Sequence, residues 1–201
     1  MRIGVALSGG KDSALVAALL RKQGHEVLAF HLLLSPPDSS PVPRADELRA
    51  VEEIASRLGI PLRVLDLSAC FEAEIIASFL SEHDRGRTPS PCVLCNPRFK
   101  FGRLLEAALA AGCERLSSGH YARVVPGERP LLRKNLDPAR DESYFLHRLT
   151  PRQLSRVLLP LGEIALDRVG ELTGELLESF RPLPSSVDAC FLGNGRLGGF
   201  L

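Results

Sequence analysis

Ser8-Gly9-Gly10-Lys11-Asp12-Ser13 is a glycine-rich turn between the apolar run 2–7 and a helix-periodic stretch at 12–22. A turn at a helix N-terminus presents unpaired backbone N–H groups and the positive end of the helix dipole, and glycines let a phosphate approach both closely. Ser8 and Ser13 add hydroxyl donors and Lys11 a positive charge, so Ser8, Gly9, Gly10, Lys11, Asp12 and Ser13 are candidate anion-binding residues. The turn matches neither GxxxxGK[ST] nor GxGxxG, so neither common nucleotide loop accounts for it. A second reactive group is Cys92-Val93-Leu94-Cys95, in a stretch with three prolines between residues 83 and 97, followed much later by Cys190 in Asp188-Ala189-Cys190-Phe191. Clustered cysteines in a reducing compartment point to nucleophilic or metal-binding roles, because a thiolate is both a strong nucleophile and a soft ligand. Zinc would need a fourth ligand, for which only His83 and His120 stand beside Cys190. Cys70 and Cys113, at helix boundaries, read as small core residues.

These groups must be positioned by an alternation of strands and helices. Strands are expected at 2–7, 26–34, 61–67 and 114–118, and helices at 12–22, 44–58, 69–82 and 98–111. That order predicts an α/β fold with a parallel sheet flanked by helices. Ligands of such sheets bind beyond the carboxyl ends of the strands, where Ser8, Leu34, Leu67 and Ser118 would all lie. Residues 121–125 and 130–134 flank Pro126-Gly127 as a hairpin, and 141–180 is expected to be mostly helical, with a break at Pro160-Leu161-Gly162. With 201 residues and 45% hydrophobic content the chain can bury one good core. A net charge of +1 argues against indiscriminate nucleic-acid binding, though a local basic face is compatible with it. No run is apolar enough to span a bilayer and residues 1–7 lack a signal-peptide pattern, so a cytoplasmic protein is expected, with no membrane partner.

The SGGKDS turn resembles the PP-loop, SGGxDS, of ATP pyrophosphatases. More extensively, TPSPCVLCNPRFKFGRLLEAA, SSGHYARV, LDPARDESYFLHRLTPRQLSRVLLPLGE and DACFLG, in that order, resemble the tRNA-specific 2-thiouridylases across nearly the whole chain. The resemblance implies a Rossmann-like fold of the adenine nucleotide alpha-hydrolase type, with an ATP-binding domain at 1–140 and a helical extension at 141–201 that carries the third site cysteine. It implies ATP and Mg²⁺ as cofactors, with pyrophosphate cradled by Gly9, Gly10, Lys11, Asp12 and Ser13, Asp12 near the metal, and Gly119 approaching ATP. It further implies that Cys95 and Cys190 are the catalytic pair and that His120, Arg140 and Asp141 lie near a tRNA substrate. The chemistry implied is adenylation of a wobble-uridine carbonyl oxygen, followed by attack of sulfur carried on Cys95 and release assisted by Cys190.

Two departures from the family pattern change what is expected. Some members carry aspartate where this chain has Cys92, so Cys92, Cys95 and Cys190 could hold three irons of a [4Fe–4S] cluster, and the persulfide and cluster routes both stay open. Glu142 stands where the family's KDQS segment has glutamine, and a carboxylate repels phosphate where an amide could donate. The family also continues into a central domain and a C-terminal barrel that help grip tRNA. The chain's end eleven residues after Cys190 leads to three expectations that stay open: a partner chain or a second copy supplies those contacts, the minimal domain suffices for a tRNA, or the acceptor is not tRNA. A sulfur-donor protein or sulfide is the expected second partner. The alternative function is an iron–sulfur or sulfur-carrier protein acting on another acceptor.

Overall fold

A computed structural model describes residues 1–35, 43–177 and 190–192. The chain opens with β1 (Arg2–Ala6), α1 (Lys11–Lys22), β2 (Glu26–Leu33), α2 (Arg44–Leu58) and β3 (Leu62–Asp66). Next comes one continuous helical run: α3 (Ser68–Phe71), a π-wound turn (Glu72–Ile76) and α4 (Ala77–Asp84). A second run follows: α5 (Pro91–Cys95), a longer π-wound segment (Asn96–Leu104) and α6 (Leu105–Ala110). After β4 (Arg115–Ser117), β5 (Ala122–Val125) and β6 (Leu131–Lys134) come α7 (Pro151–Leu154), β7 (Val157–Leu158) and α8 (Leu166–Leu177).

Five strands form a parallel sheet in the order β3-β2-β1-β4-β7, while β5 and β6 pair as a separate antiparallel hairpin. The order reverses between β1 and β4, so the loops leaving those two strands diverge there and open a crevice at the carboxyl edge. The expected α/β parallel sheet, its four expected strands and the hairpin are all present. β7 is an addition: the expectation of mostly helix at 141–180 missed two residues that extend the sheet beside β4. The stretch 141–177 therefore contributes a sheet strand through β7, and its α8 packs against α1.

Three apolar clusters hold the elements. One, centred on Leu15, Val16 and Val51, fills the face covered by α1, α2 and α8. Another, centred on Phe30, Phe101 and Leu116, fills the opposite face under α6 and β7. The third is a satellite of Phe71, Ile75, Ile76, Phe79, Cys95, Phe99 and Phe191, lying under the cysteine-bearing helix. Phe191 stacks edge-on against Phe71 and Phe79, with centroids 5.9 and 5.2 Å apart. That anchor carries the neighbouring Cys190 towards Cys95. Cys70 corrects an expectation: it is exposed, because Phe71 is the residue of its short helix turned into the core. Cys113 is buried as expected. Among the described residues no helix is long and apolar enough to cross a membrane.

Candidate functional site

The SGGKDS turn closes on itself through Ser13. Its hydroxyl, 4% exposed, donates to the Gly10 carbonyl at 2.9 Å and accepts the Ser8 N–H at 3.1 Å. Ser8 Oγ lies 3.1 Å from Ser13 Oγ. Gly9 has φ +83°, a left-handed conformation that costs glycine little. The chain can then enter α1 at Gly10, where no side chain caps the helix. The first-turn N–H groups of α1 thus face the crevice without a side-chain partner, and the helix dipole adds its positive end there. Lys11 and Asp12 stand in that first turn. This arrangement fits an anion: the donors are in place and no Cβ crowds Gly10, where an added one would meet only Ser8 Oγ at 3.4 Å.

Gly119, in the loop after β4, sits against this turn. A Cβ there would lie 3.0 Å from Asp12 C and from Ser13 N, so only glycine lets the two loops of the switch point come together. Tyr121, two residues on, donates its hydroxyl to Asp12 Oδ1 at 2.8 Å. Burial and then the Asp12 contact push the Tyr121 phenol above its ordinary range, keeping it a donor. Asp12 is therefore held by one oxygen. His120 takes up Ser118 Oγ through Nδ1 at 2.8 Å and tilts against Phe101 at 5.7 Å. Burial, with Lys100 adding to it, drives its pKa well below 6.5, so the imidazole is neutral near pH 7.

The residues expected to face a substrate are divided by the structure. Arg140 is exposed, with its guanidinium 5.6 Å from the Tyr121 ring centroid. Asp141 instead uses both carboxylate oxygens locally: Oδ1 accepts Asn135 N–H at 2.9 Å and Oδ2 accepts the Ser143 hydroxyl at 2.8 Å. Partial burial works to raise its pKa, but the Asn135 and Ser143 donors outweigh it and the net shift is downward. Glu142 is a backbone clip. Its Oε2 accepts the Tyr121 N–H at 3.0 Å while its own N–H donates to the Tyr121 carbonyl at 2.9 Å. Burial raises its pKa against the opposing pull of that N–H and of Lys100.

The cysteines sit on the second helical run. Pro91 starts α5 at a position that tolerates the missing N–H. Cys92 is half-buried and Cys95 is buried. Immediately beyond Cys95 the helix widens to π winding, which requires a backbone that can accommodate i→i+5 bonds. Pro97 removes one N–H, and a Cβ on Gly102 would lie 2.7 Å from the Pro97 carbonyl oxygen, so glycine is what lets this turn close. Gln153 completes it from α7: its Nε2 donates to Pro97 O at 2.8 Å and to Phe101 O at 2.9 Å, while its Oε1 accepts from Thr150. Asn96, 2% exposed, ties the same helix to the Phe145 carbonyl at 3.0 Å.

Burial pushes the Cys95 thiol up to about 12, with Lys100 opposing and Cys190 and Cys92 adding to the rise. Cys190 is exposed. Burial pushes its thiol up to about 11, again against Lys100. Both are thiols near neutral pH. The mutual influence of Cys92, Cys95 and Cys190 places them in one neighbourhood, but among the described residues no three histidine, cysteine or acidic side chains converge closely enough to hold a metal ion. The donor chemistry suits an iron–sulfur cluster, while this arrangement does not preassemble its cradle.

Lys100 is the residue that sequence reasoning missed. Half-buried on the π segment, it acts electrostatically on Cys95, Cys190, His120 and Glu142, making it the cation common to the cysteines and the His120 loop. Tyr121 and Gln153 were missed too. The only signal for Lys100 lay in its spacing, five residues after Cys95 on the π-wound segment.

Comparison with known proteins agrees with this geometry. The chain is 42% identical over 205 residues to a tRNA-specific 2-thiouridylase MnmA of Trichlorobacter lovleyi, a match covering all of this chain and 57% of the relative. Against the protein of the same name from Frankia casuarinae it is 40% identical over 207 residues, covering all of this chain and 58% of the relative. The chain thus spans a little over half the length of these curated relatives. Among solved structures, the U34-tRNA thiolase NcsA of Methanococcus maripaludis, described with its [4Fe-4S] cluster, shares the fold with a TM-score of 0.55 at 20% identity, covering 94% of this chain and 60% of that one. Residues 1–194 match the tRNA methyl transferase HUP domain, and the chain belongs to that family.

Proposed function

We propose that this chain is the catalytic module of an ATP-dependent sulfurtransferase that converts a tRNA wobble uridine to 2-thiouridine. The observation that carries the reading is that an uncapped α1 N-terminus at the β1/β4 switch point shares its sheet edge with a cysteine neighbourhood, the two joined through Tyr121, Glu142 and Lys100. The name of the relatives, tRNA-specific 2-thiouridylase, supports the same reaction. Thiols beside an anion cradle suit sulfur transfer better than the methyl transfer that the family's description mentions.

In this reading the Gly9–Ser13 turn and the first N–H groups of α1 hold the phosphates of ATP, and the Asp12 carboxylate, steadied at Oδ1 by Tyr121, faces Mg²⁺. Mg²⁺ supplies charge neutralisation on the phosphates. The uridine O2 attacks the α-phosphorus, pyrophosphate leaves, and the carbonyl oxygen becomes part of a good leaving group. The outer sulfur of a persulfide on Cys95 attacks C2 and AMP departs, leaving C2 joined to Cys95 through two sulfurs. The Cys190 thiol gives up its proton as its sulfur attacks Cys95 Sγ. A Cys95–Cys190 disulfide forms, the bond between Cys95 Sγ and the transferred sulfur breaks, and its electrons stay on the transferred sulfur, which becomes the thiocarbonyl. An external dithiol reduces the disulfide and a sulfur-donor protein reloads Cys95. The work belongs to a cytoplasmic setting, and a partner chain or a second copy would extend the grip on tRNA. The cluster route, which needs Cys92, Cys95 and Cys190 to draw together, is the second reading, supported by their shared neighbourhood alone.

The test combines the purified chain with ATP, Mg²⁺, bulk tRNA and a persulfide donor, followed by nucleoside mass spectrometry and pyrophosphate assay. 2-Thiouridine formed with tRNA-stimulated pyrophosphate release is expected; absence of both overturns the reading. Iron and acid-labile sulfide after anaerobic reconstitution separate the two routes.

A further inference from the structure

A cavity of about 280 Å³ lies on the outer side of the cysteine helix, between α4 and α5, and is closed on its third side by Tyr144 and Arg148. Its floor is apolar, formed by Phe79 with Ile75 and Leu94. Ser78 and Ser90 offer hydroxyls at its wall. Cys95 and the SGGKDS turn do not line it, so it is a separate pocket, but it is continuous with the cysteine site through α5, whose Pro91, Val93 and Leu94 form one of its walls. Just below the volumes of about 300–1,000 Å³ that hold drug-sized molecules, it has room for one planar ring system.

Two charged groups line it, Glu82 and Arg148. Glu82 is already engaged, by Arg85 at 3.0 Å and Arg87 at 2.9 Å. Arg148 has no ion-pair partner among the described residues. Tyr144 is 61% exposed, the most exposed of the large apolar side chains described, and leans on Phe145 and His147 with centroids 5.5 and 5.6 Å away. An aromatic ring presented to solvent, backed by other rings and flanked by an unpaired arginine, is the arrangement that stacks an unpaired base and contacts its phosphate.

We propose that this cavity is a nucleobase subsite. It takes a base of single-stranded RNA next to the nucleotide that is modified, with Tyr144 as the stacking face and Arg148 as the phosphate contact. The proposal rests on the tRNA reading above. It deepens that reading by giving this chain a means of holding the loop around its target, independent of any further domain.

The test measures the affinity of the full chain for a fluorescein-labelled RNA hairpin with a uridine-containing loop, as a function of salt. Tyr144→Ala should weaken binding about tenfold with an unchanged salt slope, as expected for loss of one stacked base. Arg148→Ala should weaken it and reduce the slope of log affinity against log salt by about 0.7, the share of one phosphate contact on a single strand. Tyr144→Phe, which keeps the ring face, should bind like the parent. Melting temperatures of the same preparations control for folding, and truncating so exposed a ring opens no core. Parent-like affinity in Tyr144→Ala overturns the subsite while leaving the tRNA reading standing, and assigns the cavity to something other than RNA. A loss in Tyr144→Phe equal to that in Tyr144→Ala overturns the stacking role. Failure of the parent chain to bind the hairpin at all defeats the tRNA reading and the subsite together.

Discussion

The nucleotide turn and the cysteine helix are built by opposite strategies. In the turn, residues 8–13 satisfy one another: Ser13 closes the loop onto Ser8 and Gly10 within a span of five residues. In the cysteine helix the local sequence is unfavourable, since Pro97 withholds a donor and the winding opens to π. That segment is held by remote groups: Gln153 on α7, the Phe145 carbonyl, and Phe191 in the satellite core. On the proposed function the difference follows from the tasks: a phosphate cradle needs rigid donors that are ready before the ligand comes, whereas a sulfur carrier must be kept buried and then meet both an RNA base and a second thiol.

If the division of labour is real, the two regions can be disabled separately. Cys95→Ser should lower sulfur transfer by about a thousandfold or more, because a hydroxyl cannot carry a persulfide, while ATP affinity stays within about twofold. Asp12→Ala should do the reverse, losing ATP turnover while Cys95 still accepts sulfur from a donor. Transfer measured by nucleoside mass spectrometry and ATP binding measured by calorimetry decide it. Comparable loss of both functions in either variant would show that the regions are one cooperative unit.

A smaller effect probes the construction itself. Gly102→Ala places a Cβ 2.7 Å from the Pro97 carbonyl, backbone that cannot rotate away, so the π turn must shift. Overpacking of this kind costs about 1–3 kcal/mol. Denaturant titration should register it, and Cys95 should react faster with iodoacetamide as its cover loosens. Gly10→Ala, at φ −78°, meets only Ser8 Oγ at 3.4 Å and should change stability by under about 0.5 kcal/mol, while crowding the anion cradle and weakening ATP binding. Equal stability losses in the two variants would erase the contrast between a self-sufficient turn and a supported helix.

The same contrast explains what could be read from the sequence. β1, the SGGKDS turn and α1 were legible because their determinants lie within one window: an apolar run, turn glycines and helical periodicity. The opposed cysteines were legible as chemistry but not as geometry. The π winding depends on Gln153, which is 56 residues from Pro97 and 52 from Phe101, and no local pattern announces that partnership. Lys100 was illegible for a related reason, since a lysine on a helix carries no signal of which buried groups its charge will reach. β7 was missed because Val157 and Leu158 are too few to show strand alternation, and their place beside β4 is set by tertiary packing. Asp141 was expected at the substrate side on resemblance, and its oxygens accept from Asn135 and Ser143; Glu142, the departure from the family's glutamine, accepts the Tyr121 N–H.

Glu142 offers the finest test, because it links the two regions through Tyr121 to Asp12 on one side and feels Lys100 on the other. Its folded pKa lies above the ordinary glutamate value of 4.5, with burial as the largest cause. A carboxyl that binds its proton more tightly when folded contributes stability that is present below its unfolded pKa and is lost as pH rises through the folded one. The parent chain should therefore lose a little stability between about pH 4.5 and neutrality on account of this group. Glu142→Gln keeps an oxygen for the Tyr121 N–H and removes the buried charge, so it should flatten that part of the profile and leave the protein slightly more stable at pH 7. Denaturant midpoints across this pH range measure the effect. A variant that is less stable at pH 7 would mean that the attraction of Lys100 for the carboxylate outweighs the cost of burying it. The Tyr121–Asp12 link would then depend on charge from the cysteine helix, and the cradle would be less self-sufficient than its own hydrogen bonds imply.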